Sequence, residues 1–248
     1  MFEFDISAAS RVGCVRENNE DMILVDDIYV RNDVLSLHHD LSSKDRFMIA
    51  LADGMGGHNC GEVASSDVLH NLQYVFNDIP YSFNISDFNE VIFEWLSSMN
   101  NNLEAKGYND PKYKDMGTTL VSLVYYGNEF YWMNCGDSRL YRLHEGKLVQ
   151  LTTDHSLNTL MGSKQHTNVI TNCIGGGCTT SFIDIVDCTK EVEKGDVFML
   201  CSDGLTDMVD DEVIERMLNE GCDASALCAV AENNGGIDNI SVVIVNVQ

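Results

Sequence analysis

The sequence predicts an α+β fold: a central antiparallel β-sandwich flanked by helices on both sides, in αββα layers. Three observations predict it. Short segments rich in β-branched and aromatic residues follow one another closely enough to pair antiparallel. Two long segments carry a single apolar stripe at helical spacing, and strands and helices lack the regular alternation that a parallel sheet needs.

The strand candidates are residues 47–52 (FMIALA), 119–126 (TLVSLVYY), 129–134 (EFYWMN), 139–143 (RLYRL), 147–151 (KLVQL), 197–201 (VFMLC) and 240–247 (ISVVIVNV). His144, Glu145 and Gly146 close a hairpin between the fourth and fifth. A helix is expected over 62–77, where Ala64, Val68, Leu72, Val75 and Phe76 share one stripe. A second is expected over 86–106 through Phe88, Val91, Ile92, Trp95, Leu96, Met99 and Leu103, with Ser86 and Asp87 at its start and Gly107 as its stop. Residues 210–219 and 224–233 read as two shorter helices. One stripe per long helix places each against a sheet rather than inside a bundle. With two prolines, no repeat and no change of composition along the chain, residues 1–248 read as a single domain.

Charge narrows the function classes. The 39 acidic against 15 basic residues give a formal charge of −24. Such a field repels phosphate backbones and anionic bilayers, which excludes nucleic acid and membrane surfaces as partners. It suits divalent cations or cationic partners. Nine cysteines form no CxxC pair, and the N-terminal residues lack the basic and apolar regions of a secretory leader. No apolar run approaches the ~18 residues of a membrane span. Reduced thiols and a cytoplasmic location are the expectation.

The stretch LADGMGGHNCGE at 51–62 is unusual, because glycine costs about 0.5–1 kcal/mol relative to alanine where it is not needed. Asp53-Gly54 follows one apolar strand and Asp203-Gly204 follows another. Asp137, in Gly136-Asp137-Ser138, follows a third, and Asp238-Asn239 precedes a fourth. A lone Asp-Gly is usually a turn. Asp137 beside Arg139 reads alone as an ion pair, and Asp238-Asn239 as an Asx turn. Four carboxylates at four strand ends, if the ends converge, make an oxygen-rich cluster of the kind Mg2+ and Mn2+ select. On this reading the glycines make room for metals: Gly54 lets a carbonyl approach, while Gly56 and Gly57 keep side chains away from water and substrate.

These residues also resemble a known motif series. Arg16-Glu17-Asn18-Asn19-Glu20-Asp21, Asp53-Gly54-Met55-Gly56-Gly57 with Gly61-Glu62-Val63-Ala64-Ser65, Gly117-Thr118-Thr119, Gly136-Asp137-Ser138-Arg139, Leu151-Thr152 with Asp154-His155-Ser156, Cys201-Ser202-Asp203-Gly204-Leu205 and Asp238-Asn239 resemble, in order, the metal-dependent serine/threonine protein phosphatases of type 2C, most of all their bacterial branch. The resemblance runs from Arg11 to Val247. It implies a β-sandwich flanked by helices with two Mn2+ or Mg2+ ions at one end. Carried over by motif, Asp53 bridges both ions, the Gly54 carbonyl ligates one, and Asp203 and Asp238 complete the other. Glu20 and Asp21 hold waters around the ions. Arg16 holds the substrate phosphate, and Asp137 with Asp203 holds a weaker third ion. Two ions about 3.5–4 Å apart lower the pKa of a bridging water, giving a hydroxide for in-line attack on phosphorus with no phosphoenzyme.

The resemblance also implies partners: phosphorylated proteins, and a cognate Ser/Thr kinase whose targets a monomer would dephosphorylate. The rival readings are an inert phosphatase-like regulatory module, a partner-switching phosphoserine phosphatase of the same fold, and a calcium-binding structural protein. Departures from the family exist. Met55 stands where animal-type members carry a histidine acid, which leaves the general acid unassigned; His58 is not expected to serve, and metal-bound water is the simpler donor. The mobile flap after Asp154-His155-Ser156 is expected to be shortened. Residues 26–45, with His38-His39, read as an added loop or long hairpin whose histidines are exposed.

Overall fold

The computed structural model describes residues 2–42, 44–56, 60–162, 169–178 and 180–248. In chain order the strands are β1 (Glu3–Arg11), β2 (Met22–Val25), β3 (Ile28–Val30), β4 (Val34–Asp40), β5 (Arg46–Ala52), β6 (Gly54–Met55), β7 (Gly117–Thr118), β8 (Leu120–Tyr126), β9 (Glu129–Cys135), β10 (Arg139–His144), β11 (Lys147–Gln150), β12 (Ile174–Gly175), β13 (Asp184–Asp187), β14 (Val197–Cys201) and β15 (Ile240–Val247). The helices are α1 (Gly61–Asp78), α2 (Ile85–Asn109), α3 (Leu157–Met161), α4 (Asp203–Thr206), α5 (Asp211–Asn219) and α6 (Ala224–Asn233).

Two six-stranded sheets face each other, in the orders β11-β10-β14-β15-β1-β4 and β13-β9-β8-β5-β2-β3, and a three-stranded sheet runs β12-β7-β6. The layer order follows from side-chain alternation. Along β5, Phe47, Ile49 and Leu51 point between the sheets and meet Val243 and Val245 of β15. The intervening Met48, Ala50 and Ala52 point outward and meet Val68 and Leu72 of α1 and Phe88 and Trp95 of α2. On the far side, Val242 and Ile244 pack on Ile214 and Leu218 of α5 and Leu227 of α6. Central strands are therefore covered on both faces, which is why they read as nearly unbroken apolar runs.

The expected strands and helices are present, with shifted ends. α2 begins at a different cap: the Asn84 side chain accepts from the amides of Ser86 and Asp87, and Asp87 returns a bond to the Asn84 amide, a reciprocal capping box. Ser86 lies inside the helix. Gly107 does not stop it; a Cβ there would come within 3.0 Å of the Tyr113 carbonyl, so glycine lets the following 3-10 turn fold back against α2. The hairpin turn is Glu145-Gly146, both at positive φ, with His144 paired to Lys147.

Residues 26–45 are not an added loop. β3 joins β2 in one sheet and β4 joins β1 in the other, so the segment straps the two sheets together. His38 is exposed, with Nδ1 2.8 Å from Asp5 Oδ1, whereas His39 is half-buried with its ring 4.3 Å from that of Phe47.

Candidate metal centre

Chain segments from both sheets deliver the acidic side chains. Asp53 leaves β5 and enters β6. Its amide donates to Thr119 Oγ1 at 3.0 Å, and its carbonyl accepts from Thr118 Oγ1 at 2.8 Å and from the Thr119 amide at 2.9 Å. Thr119 Oγ1 is in turn 2.7 Å from Ser138 Oγ, next to Asp137. Two threonines and a serine thus lock the backbone that aims Asp53, and they tie it to the Asp137 turn.

Gly54 and Gly204 have a packing role as well. A Cβ on Gly54 would meet the Gly61 carbonyl at 2.2 Å and the Glu20 carbonyl at 2.5 Å, and one on Gly204 would meet the Asn239 carbonyl at 1.9 Å. These glycines admit neighbouring backbone first. The close approach brings the N-terminus of α1, the Glu20 loop and the Asp238 loop onto the Asp-Gly steps. Gly57 and His58 lie outside the described residues.

Asp203 opens α4 rather than ending a strand. Its carboxyl is within hydrogen-bonding reach of Asp53, and burial together with the charges of Asp238 and Asp207 pushes its pKa up. For Asp53, burial and then the charges of Asp21, Asp203, Asp137 and Asp238 push the pKa well above the carboxylate range. Both side chains keep some surface open to solvent, but protein crowds them on the other sides. Asp137 is raised to about 7 by burial and then by Asp203 and Asp154. Asp21 is fully buried and raised as well, chiefly by burial, even though Ser202 Oγ donates to its Oδ2 at 2.9 Å.

Arg16 lies on the cluster, with Nη2 donating to Asp238 Oδ2 at 2.7 Å. Glu20 reaches the start of α1, where its Oε1 accepts from the Gly61 amide at 3.2 Å. Asn239 holds the loop that carries both: its Oδ1 accepts from the Glu20 amide at 2.8 Å, and its Nδ2 donates to the carbonyls of Val12 and Asn18. Arg31 donates to the carbonyls of Asp21 and Glu62 and to Ser65 Oγ, joining this loop to α1. Arg139 does not pair with Asp137; it forks onto Asp154 at 2.7–3.1 Å. Asp238 Oδ1 accepts from the adjacent Asn239 amide at 2.8 Å, one residue short of the reach of an Asx turn.

Five mutually repelling aspartates outnumber the guanidinium groups of Arg16, Arg31 and Arg139 that act on them, and call for more positive charge. Oδ1 of Asp21 and Oδ1 of Asp137 are buried without a hydrogen-bond partner, and every donor in the cluster is an oxygen. Both observations fit hard divalent ions. Among the described residues, no three His, Cys, Asp or Glu side chains are already drawn into a closed cage around one point. The ligand assignment therefore rests on the neighbouring carboxylates rather than on a preformed shell.

Sequence reasoning placed the five aspartates, Glu20 and Arg16 in one region, and the structure brings them together. It gave no role to Thr118, Thr119, Ser138, Ser202, Asn239 or Arg31. The hydroxyls and amides stand inside the quoted motifs, and that was the only signal of them available.

Comparison with known proteins identifies the family and the fold. The sequence model of the family described as Protein phosphatase 2C matches residues 30–232. The chain is 31% identical over 251 residues to the serine/threonine protein phosphatase PstP of Mycobacterium tuberculosis, covering 97% of this chain and 44% of that protein. It thus spans less than half the length of PstP. It is 31% identical over 259 residues to the protein phosphatase PhpP of Streptococcus pneumoniae, covering 98% of each. Among solved structures, the serine/threonine phosphatase of S. agalactiae superposes with a TM-score of 0.82 at 28% identity, over 99% of this chain and 100% of that one. A PstP catalytic domain in complex with two manganese ions superposes with a TM-score of 0.75 at 30% identity, over 100% of this chain and 99% of that one.

Proposed function

The chain belongs to the protein phosphatase 2C family of metal-dependent serine/threonine protein phosphatases, of the bacterial type, and from that premise we propose that it hydrolyses phosphoserine and phosphothreonine esters in proteins at the cluster around Asp53. The observation that supports this most is the convergence of Asp53, Asp203, Asp238, Asp137 and Asp21 with unpartnered buried carboxylate oxygens.

Asp53, the Gly54 carbonyl, Asp203 and Asp238 would hold two Mn2+ or Mg2+ ions, and Asp137 with Asp203 would take a weaker third. Asp137 and Asp203 feel each other's charge directly, which supports that pairing. When bound, the ions supply Lewis-acid activation of water and neutralise phosphoryl charge. The chain's own residues do the rest. Arg16 offers a planar fork to two phosphoryl oxygens as charge builds on them. Its side chain is 52% exposed, so it is accessible to a phosphoprotein. Glu20 and Asp21 fix the approach to the ions, and Asn239 holds the loop that carries Glu20. No described side chain stands out as a proton donor to the leaving alkoxide, which leaves that role to water. His58 lies outside the described residues.

An inert phosphatase-like module would lack part of the ligand set, and here each expected ligand is present. We further propose a single catalytic domain over residues 1–248 that acts as a cytoplasmic monomer on the targets of a cognate Ser/Thr kinase. No helix among the described residues is long and apolar enough to cross a membrane. Hydrolysis of a phosphothreonine peptide with Mn2+, against the same reaction in chelator, tests the core of the proposal. Metal-dependent turnover is the expected result; turnover that persists in chelator would refute it.

A further inference from the structure

Two thiols outside the metal centre face each other. Cys173 Sγ and Cys178 Sγ are 3.2 Å apart, both in the reduced form. A disulfide is about 2.05 Å long, so a shift of about one ångström closes the gap. Between them run Ile174, Gly175, Gly176 and Gly177, and the three glycines have φ of 77°, 61° and 78°. Three successive left-handed residues fold the chain back on itself and bring positions 173 and 178 together.

The loop is also clamped. Asn100 of α2 accepts from the Gly175 amide at 2.7 Å and from Ser181 Oγ at 2.9 Å, while its Nδ2 donates to the Cys178 carbonyl at 3.0 Å. The Cys178 amide donates to the Gly175 carbonyl at 2.9 Å, and Ser181 Oγ shares its one proton between Asn100 Oδ1 and the Cys173 carbonyl. One asparagine therefore holds both halves of the loop, and much of the ordering that a cross-link demands is already in place.

Exposure divides the labour. Cys178 is half-buried on the rim of a cleft of about 370 Å3 that Leu103, Tyr108 and Met116 also line. Cys173 is 3% exposed behind it. A small oxidant entering the cleft meets Cys178 first, with Cys173 next in line.

We propose that Cys173 and Cys178 form a hydroperoxide-responsive dithiol that closes to a reversible disulfide. The Cys178 sulfur attacks the terminal oxygen of a hydroperoxide, so that an S–O bond forms as the O–O bond breaks; the departing alkoxide, or hydroxide from hydrogen peroxide, takes the Cys178 thiol proton and leaves as the alcohol or water, and Cys178 becomes a sulfenic acid. The Cys173 sulfur then attacks Cys178, the S–S bond forms and the S–OH bond breaks. The departing hydroxide takes the Cys173 proton and leaves as water. The two thiols are oxidised by two electrons, and the hydroperoxide is reduced by two. An external dithiol reverses the bond by exchange. The cross-link spans β12, which pairs with β7, and β7 pairs with β6, so it sits two strands from Gly54.

Hydrogen peroxide treatment of the full chain, followed by thiol titration and peptide mass mapping, tests this. The expected result is loss of two of the nine titratable thiols, a mass lower by two hydrogen atoms in the peptide containing both residues, and recovery with dithiothreitol. Cys178→Ser should abolish the cross-link. Because that variant is open to a folding defect, unmodified protein is also treated with phenylarsine oxide, which bridges close thiol pairs. One adduct on this peptide, blocked by prior oxidation, is expected. Oxidation to sulfinic acid without a cross-link, a cross-link involving Cys14 or Cys222 instead, or no arsenical adduct would each overturn the proposal.

Discussion

Arg16 rests on Asp238: its Nη2 donates to Asp238 Oδ2 at 2.7 Å, joining the two ends of the chain across 222 positions. The guanidinium proposed to grip the phosphoryl group therefore neutralises a proposed ion ligand, and the two tasks compete for one side chain. Arg16→Ala removes a charge-assisted hydrogen bond to substrate, about 1.5–3 kcal/mol, and should lower kcat/KM for a phosphothreonine peptide by about 10- to 100-fold. Half-saturating Mn2+ should stay the same or fall, because Asp238 loses a competitor. An unchanged kcat/KM would remove Arg16 from the phosphate site.

Asp203→Asn should abolish turnover, and Asp53→Asn should do the same. Each also removes one of several crowded negative charges. In chelator, melting should therefore occur at a higher temperature than for the unmodified chain, by about 2–12 °C for a gain of about 1–3 kcal/mol. Added Mn2+ should raise the melting temperature of the unmodified chain and not that of the variants. Scanning calorimetry with and without Mn2+ reads both. Variants less stable than the parent in chelator would show that repulsion in the cluster is not the dominant local cost.

Gly204→Ala tests the backbone contact directly. The new methyl group would lie 1.9 Å from the Asn239 carbonyl and 3.5 Å from Asp238 Cβ, so the Asp238 loop must move outward. Overpacking of this kind costs about 1–3 kcal/mol or more. Urea unfolding should show that loss, together with weaker Mn2+ activation than the parent. Normal activation would mean that the loop absorbs the methyl without moving Asp238.

Asn84→Ala serves as the contrast. It deletes the side chain that caps α2 and accepts two amides, which should cost about 1 kcal/mol of stability. It touches nothing in the acidic cluster, so kcat at saturating Mn2+ should be unchanged. A fall in kcat would reveal coupling from the outer helix layer to the centre.

Much of this architecture is legible from residue order. β5, β8, β14 and β15 are buried on both faces and stand out as apolar runs, and the Asp-Gly steps that follow β5 and β14 mark the centre. β1 to β4 do not stand out in residue order: β2 and β3 are only four and three residues long, Asp26, Asp27, Arg31 and Asp33 separate β2, β3 and β4, and the alternation along β1 and β4 mixes small and polar residues. Their strand character comes from partners far along the chain: β4 from β1, and β2 from β5. Ser86 looked like a cap because it precedes the apolar stripe, but Asn84 wins by forming the reciprocal box with Asp87. Small hydroxyls such as Thr118, Thr119 and Ser138 carry no periodic signature, so their grip on Asp53 becomes visible only in three dimensions.

The position of β15 sets a timetable for synthesis. It is inserted between β14 and β1, pairing Phe4 with Val247 and Arg11 with Ile240, and Asp238 lies just before it. A nascent chain leaving the ribosome holds β1 long before its neighbour exists, and such a distant pairing is slow to close. Until that strand docks, the sheet stays split and the carboxylate set stays incomplete. A copy that stops before β15 therefore lacks both the strand that joins β14 to β1 and the Asp238 carboxylate, and it is expected to be silent.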